Sequence, residues 1–154
     1  MGFFSFLFRR PILINDAFFG RLTQEPCDFS DSRYCWYAKR ILFAPTGNTV
    51  ECMIDAGSSG PSSVQQAFFQ EFEKNYSEIL PKITGMVESD FRLPESITDF
   101  ALTHRLAGLT IPKMTAESVH WELWFEQIDT SQWGYAVTVC MIDNVPEPGI
   151  GISA

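Results

Sequence analysis

Between residues 119 and 128 apolar and polar positions alternate. Val119, Trp121, Leu123 and Phe125 fall on one side, and His120, Glu122, Trp124 and Glu126 on the other. A period of two is that of a strand with one buried face. WGYAVTVCMID (133–143) repeats the pattern, and DTSQ between the two runs is a short hairpin connection. Earlier in the chain, RYCWYAKRILF (33–43) places Tyr34, Trp36, Ala38 and Leu42 on one side. Cys35, Tyr37, Lys39, Ile41 and Phe43 take the other. The turn residues APTGN lead into TVECMID (49–55), whose apolar set is Val50, Cys52 and Ile54, so these runs make a second hairpin. DAFFGRL (16–22) reads as a short strand with Gly20 as a bulge position.

The period changes after the flexible connection AGSSGPSS (56–63). Val64, Phe68, Phe72, Tyr76, Ile79 and Ile83 are spaced by three or four, which lines them along one stripe of a helix. Ser62 or Ser63 supplies its cap. Pro81 removes one backbone donor and is expected to kink the helix or divide it. In PESITDFALTHRLAGLTI (94–111), Pro94 and Glu95 suit a helix start, and Ile97, Phe100, Ala101 and His104 keep helical spacing. Gly108 would stop this second helix, leaving LTI as a brief strand. Strand runs on both sides of one long helix predict an α+β fold. The expected architecture is a single domain, residues 1–154. A largely antiparallel sheet of about five to six strands is covered on one face by a long central helix plus a shorter helix. Residues 1–15 form an N-terminal apolar arm or short helix. Residues 144–154, with two prolines and two glycines, form an irregular C-terminal tail or an edge segment.

Composition narrows the function. The chain has 154 residues, 45% of them apolar, and 14 are Phe, so a thick aromatic core is expected. The net charge of −8 argues against nucleic acid and an anionic membrane surface, both of which need clustered Lys and Arg. It suits a partner with a basic surface. After Lys113 there is no Lys or Arg, while Glu117, Glu122, Glu126, Asp129, Asp143 and Glu147 follow. The run Phe3 to Phe8 is too short for a secretory signal or a membrane span, and its arginines follow rather than precede it. A cytoplasmic location is therefore expected. Peripheral membrane or assembly contact through this arm is the alternative role. Cys52 and Cys140 read as small core residues. Cys27 and Cys35 flank a polar loop and would pair only in an oxidising compartment.

The outward set His120, Glu122 and Glu126 contains metal-ligand and acid–base residue types. Same-face positions two apart on a strand are about 7 Å apart, too spread for one ion without help from a neighbouring strand. His104, the other histidine, lies on the expected second helix. G-x-S-x-G, H-E-x-x-H, the P-loop and G-x-G-x-x-G are all absent. The serine-rich stretch before the long helix lacks the lysine that accompanies phosphate sites and reads as a connection. No cofactor, no metal ion and no catalysis are therefore expected. Trp124 among the carboxylates, with Trp133 in the following turn, fits a protein interface: an aromatic anchor ringed by steering charge. Equally, the N-terminal arm or the C-terminal tail could fold over Trp124.

The runs MGFFSFLFRR, DAFFGRL, ECMID, SVQQAFFQEFEKNYSEIL and GLTIP, with WELWFEQIDTSQWGYAVTV, resemble a family of small uncharacterised bacterial domains encoded beside polymorphic toxins. The resemblance spans most of residues 12–143 and implies an immunity-type protein. It supplies no catalytic residues. The expected function is thus non-catalytic: binding and neutralising a cognate toxin through an acidic, aromatic sheet face. That face is formed by His120, Glu122, Trp124, Glu126, Asp129 and Trp133. A small-ligand-binding protein or enzyme, with a pocket between helix and sheet that uses Cys35, His104 or His120, is the alternative.

Overall fold

The computed structural model describes residues 11–27, 34–90, 97–115, 117–129 and 134–153. Among them, nine strands join in one sheet. The elements run β1 Leu13–Asp16, β2 Gly20–Pro26, β3 Tyr34–Phe43, β4 Asn48–Ile54, α1 Ser63–Glu88, α2 Phe100–Thr103, β5 His104–Ile111, β6 His120–Gln127, β7 Ala136–Ile142, β8 Val145–Pro146 and β9 Gly151–Ser153. Strands β1 to β8 lie in sequence order, and β9 pairs with β7 as well. The sheet is larger than the five to six strands expected. The surplus comes from short segments: a hairpin at the N-terminal edge and two brief pairings from the tail.

Each difference has an identifiable cause. In DAFFGRL the Asp16 carboxylate accepts from the backbone N–H groups of Phe18 (2.8 Å) and Phe19 (2.7 Å), folding the chain back. Aspartate favours such turns because its short side chain reaches backbone donors two or three residues on. Gly20 completes the turn at φ +72°, so the run is a turn between β1 and β2 rather than one strand with a bulge. In β3 the pairing with β4 shifts register between Ala38 and Ile41. That irregularity turns Trp36, Ala38, Ile41 and Phe43 to one face. Strict alternation had separated them.

Helix α1 is pinned at its start. Ser62 and Gln65 form a reciprocal capping box: Gln65 N donates to Ser62 Oγ (3.3 Å) and Ser62 N to Gln65 Oε1 (3.0 Å). Gln65 Nε2 then donates to the carbonyls of Asp55 (2.9 Å) and Pro112 (3.0 Å), just beyond the ends of β4 and β5. One buried amide thus fixes the helix start against two strands. The buried stripe is Gln65, Phe69, Phe72, Tyr76, Ile79, Ile83 and Val87. Its first turns are displaced by one position from the expected stripe, leaving Val64 exposed and Phe68 half-buried. Pro81 neither divides nor ends the helix. Ile79, Ile83 and Val87 are buried on both sides of it, and that packing offsets the one lost hydrogen bond.

The expected second helix is reduced to α2, four residues long. Pro94 and Glu95 lie outside the described residues. From His104 the chain is strand, and Gly108 sits inside β5 rather than ending a helix. β5 is parallel to β4 and antiparallel to β6, so its backbone groups are paired on both sides. Such pairing outweighs local helical spacing. The parallel pair needs a crossover, which residues 55–103 supply.

The α1-facing side of the sheet is an aromatic core. Phe43 stacks on Phe72 (5.3 Å) and meets Tyr76 edge-on (4.9 Å), while Trp121 meets Phe72 edge-on (5.1 Å). Burial pushes the Tyr76 phenol up to about 12. Cys52 is buried as expected. Cys140 is exposed, which corrects its reading as a core residue. Val139 and Met141 on either side of it point inward, so position 140 must point out.

His104 closes one end of this core. It is 5% exposed and stacked on Phe100 at 4.7 Å, with Nδ1 2.9 Å from Thr103 Oγ1. Its Nε2 is buried with no hydrogen-bond partner among the described residues. Burial holds the imidazole below its ordinary value of 6.5. Below that value the unfolded chain binds a proton that the folded chain resists, so stability must fall as the pH drops through it. Urea midpoints measured from pH 7.5 to pH 5 should decline. In His104→Gln the decline should be smaller, and an equal slope in both proteins would exclude His104 as its source.

Candidate functional site

The side of the sheet away from α1 carries the polar positions. On β6, His120, Glu122 and Glu126 are exposed and Trp124 is half-buried, while Trp121, Leu123 and Phe125 face the core. The alternation therefore sorts the strand as expected. Glu126 lies 3.8 Å from Arg105 of β5, and Cys140 Sγ lies 3.9 Å from the Glu122 carboxylate. Asp129 is exposed just beyond β6. Trp133 lies outside the described residues, as do Phe3 to Phe8.

Trp124 is placed by what stands beside it. It is opposite Gly108 on β5 and Thr138 on β7. A Cβ added at Gly108 would fall 2.1 Å from Trp124 Cζ2, 2.4 Å from Cε2 and 2.7 Å from the backbone oxygen of Glu51. The missing side chain is the seat of the indole, which lies across β5 toward β4. Glycine in a strand interior often marks such a close approach.

Beyond the indole a cleft of about 550 Å³ opens on the same face, lined by Glu25, Cys35, Tyr37, Lys39, Glu51, Met53 and Trp124. Four strands, β2, β3, β4 and β6, supply these side chains. The Tyr37 hydroxyl donates to the Glu51 carboxylate. Burial and then this bond push the Tyr37 phenol well above its ordinary value, so it remains a donor. Lys39 Nζ stands 5.6 Å from the centre of the Tyr37 ring. Burial, then the adjacent Cys27 thiol and the charges of Glu25 and Asp55, push the Cys35 thiol far up. A thiol so held stays protonated near neutrality and is a poor nucleophile.

No family model, curated protein or solved structure matches this chain. The reading of the site therefore rests on its own chemistry. Among the described residues, no group of three or more His, Cys, Asp or Glu side chains is placed to hold a metal ion. His104 and His120 are separated by the sheet, one in the core and one on the open face. What the face does combine is carboxylates, aromatic rings and a concave surface, the components of recognition for a cation.

Of the residues expected from sequence, His120, Glu122, Trp124 and Glu126 share the open face. Glu25, Tyr37, Lys39, Glu51 and Met53 were missed, and Cys35 was expected only for the alternative pocket. Their signal was present in part. Cys35, Tyr37 and Lys39 alternate with inward residues of β3, and Glu51 and Met53 with inward residues of β4. Their meeting with Trp124 depends on the parallel pairing of β4 with β5, a contact between segments far apart in sequence.

Proposed function

We propose that this chain is a non-catalytic binding protein of the bacterial immunity type. On this reading it works in the cytoplasm, capturing a protein toxin with a basic surface and blocking it by occlusion. The observation that carries the reading is the seating of Trp124 over Gly108, beside the cleft and between Glu122 and Glu126, on the face without α1. A half-buried, rigidly placed tryptophan contributes apolar contact with little ordering cost, and carboxylates around it steer a basic partner. The cleft has the size of a small-molecule site, which favours a cationic small ligand as the second reading.

The test is growth rescue. The product of the reading frame neighbouring this chain's gene should arrest growth when expressed alone, and co-expression of this chain should restore it. A harmless product, or an arrest that the wild-type chain does not relieve, overturns the proposal. Binding kinetics against that product should separate two roles. Glu122→Lys should slow association roughly tenfold at low salt and flatten its salt dependence. Trp124→Ala should leave association nearly unchanged and raise the dissociation rate about tenfold.

A further inference from the structure

We infer that the cleft between Tyr37 and Trp124 receives a single arginine side chain of the protein partner. This rests on the capture of a basic partner proposed above and names the group that enters. The lining residues place two carboxylates, Glu25 and Glu51, against one ammonium, Lys39, so a further positive charge is matched. Two aromatic side chains and Met53 supply the apolar walls a desolvated cation needs. The Tyr37 hydroxyl occupies one acceptor site of Glu51 and fixes the carboxylate's orientation. The cleft already keeps a cation of its own at an aromatic ring, Lys39 over Tyr37, at the exposed rim.

Guanidinium fits this setting better than a second ammonium. It is planar and stacks on an indole or phenol face. It is also less strongly hydrated, and it bonds a carboxylate through two parallel N–H groups. An ammonium is a compact, strongly hydrated charge that would lose more water on entering the cleft.

The experiment titrates the full ¹⁵N-labelled chain with blocked Ala-Arg-Ala, Ala-Lys-Ala and Ala-citrulline-Ala peptides. The Trp124 indole N–H and the backbone amides of Tyr37 and Met53 are followed. The arginine peptide should shift these signals saturably. The citrulline peptide, equal in shape but uncharged, should bind at least roughly tenfold more weakly, and the lysine peptide should fall between them. Glu51→Gln keeps an acceptor for Tyr37 and should weaken the arginine peptide about fivefold to tenfold. In Trp124→Leu the Tyr37 and Met53 shifts should be lost. Absence of a saturable shift in the wild-type chain overturns the inference, as does lysine or citrulline binding as tightly as arginine. Growth rescue reads toxin capture independently of the cleft, so failure of the peptide titration alone leaves the capture proposal standing.

Discussion

Replacing Phe72 by alanine should lower the free energy of unfolding by about 3–5 kcal/mol, the range for deleting a buried phenyl ring. Phe72 is 1% exposed at the middle of α1 and contacts three rings: Phe43 at 5.3 Å, Tyr76 at 5.7 Å and Trp121 at 5.1 Å. Those rings come from three elements, β3, α1 and β6, so no single side chain can move in to fill the void. A cavity between rigid neighbours stays open, and the loss approaches the upper end of the range. A domain of this size is stable by only about 5–15 kcal/mol, so the variant should sit near the edge of folding at 37 °C. Urea denaturation measures the change. Phe68→Ala is the internal control: Phe68 is half-buried at the margin of the cluster and should cost clearly less. Equal losses for the two variants would mean that the stripe of α1 is not centred on Phe72.

Gly108→Ala carries the second large effect, about 1–3 kcal/mol from overpacking, with a change at the candidate site as well. The backbone at Gly108 is not of the left-handed kind that demands glycine. The obstacle is steric: the new methyl would meet the Trp124 indole at 2.1 Å and the Glu51 backbone oxygen at 2.7 Å. The indole must leave its seat, and β4 and β5 must separate slightly. The Trp124 indole N–H signal should therefore move while the signals of the core tryptophans Trp36 and Trp121 stay in place. A double-mutant cycle apportions the cost. In a Trp124→Ala background Gly108→Ala should be less destabilising, though not neutral, because the Glu51 contact remains. Strict additivity would show that the indole does not rest on Gly108.

Much of the fold was legible because the residues that decide it are neighbours in sequence. The alternation of β6 alone sorts Trp121, Leu123 and Phe125 from Glu122, Trp124 and Glu126. Ser62 and Gln65 announce the start of α1 with a local hydrogen-bond pattern. The errors fall where a distant partner overrules a local preference. His104 and Phe100 kept helical spacing, yet β4 and β6 on either side drew His104–Ile111 into the sheet. The irregularity after Ala38 is set by pairing with β4 and cannot be read from β3 alone. Cys140 was misplaced through its apolar neighbours, although parity with Met141 would have turned it outward. The candidate site was half legible for the same reason. Its β6 row is local, whereas Glu25, Tyr37 and Glu51 reach Trp124 only through the pairing of four strands. The likeness to immunity-type domains remains an inference from sequence, and it contributes a partner class to the proposal rather than any residue.

The parallel pairing of β4 with β5 makes the molecule two antiparallel ribbons joined along one seam. Each ribbon is made of hairpins whose contacts are short-range, whereas the seam pairs distant segments, Glu51 with Gly108 and Ile54 with Ile111, and carries the larger loop-closure cost. Glu25, Tyr37 and Glu51 ride on one ribbon and Trp124 on the other. A guest held by both would act as a clasp, its binding energy resisting opening of the seam at the place where closure is most expensive.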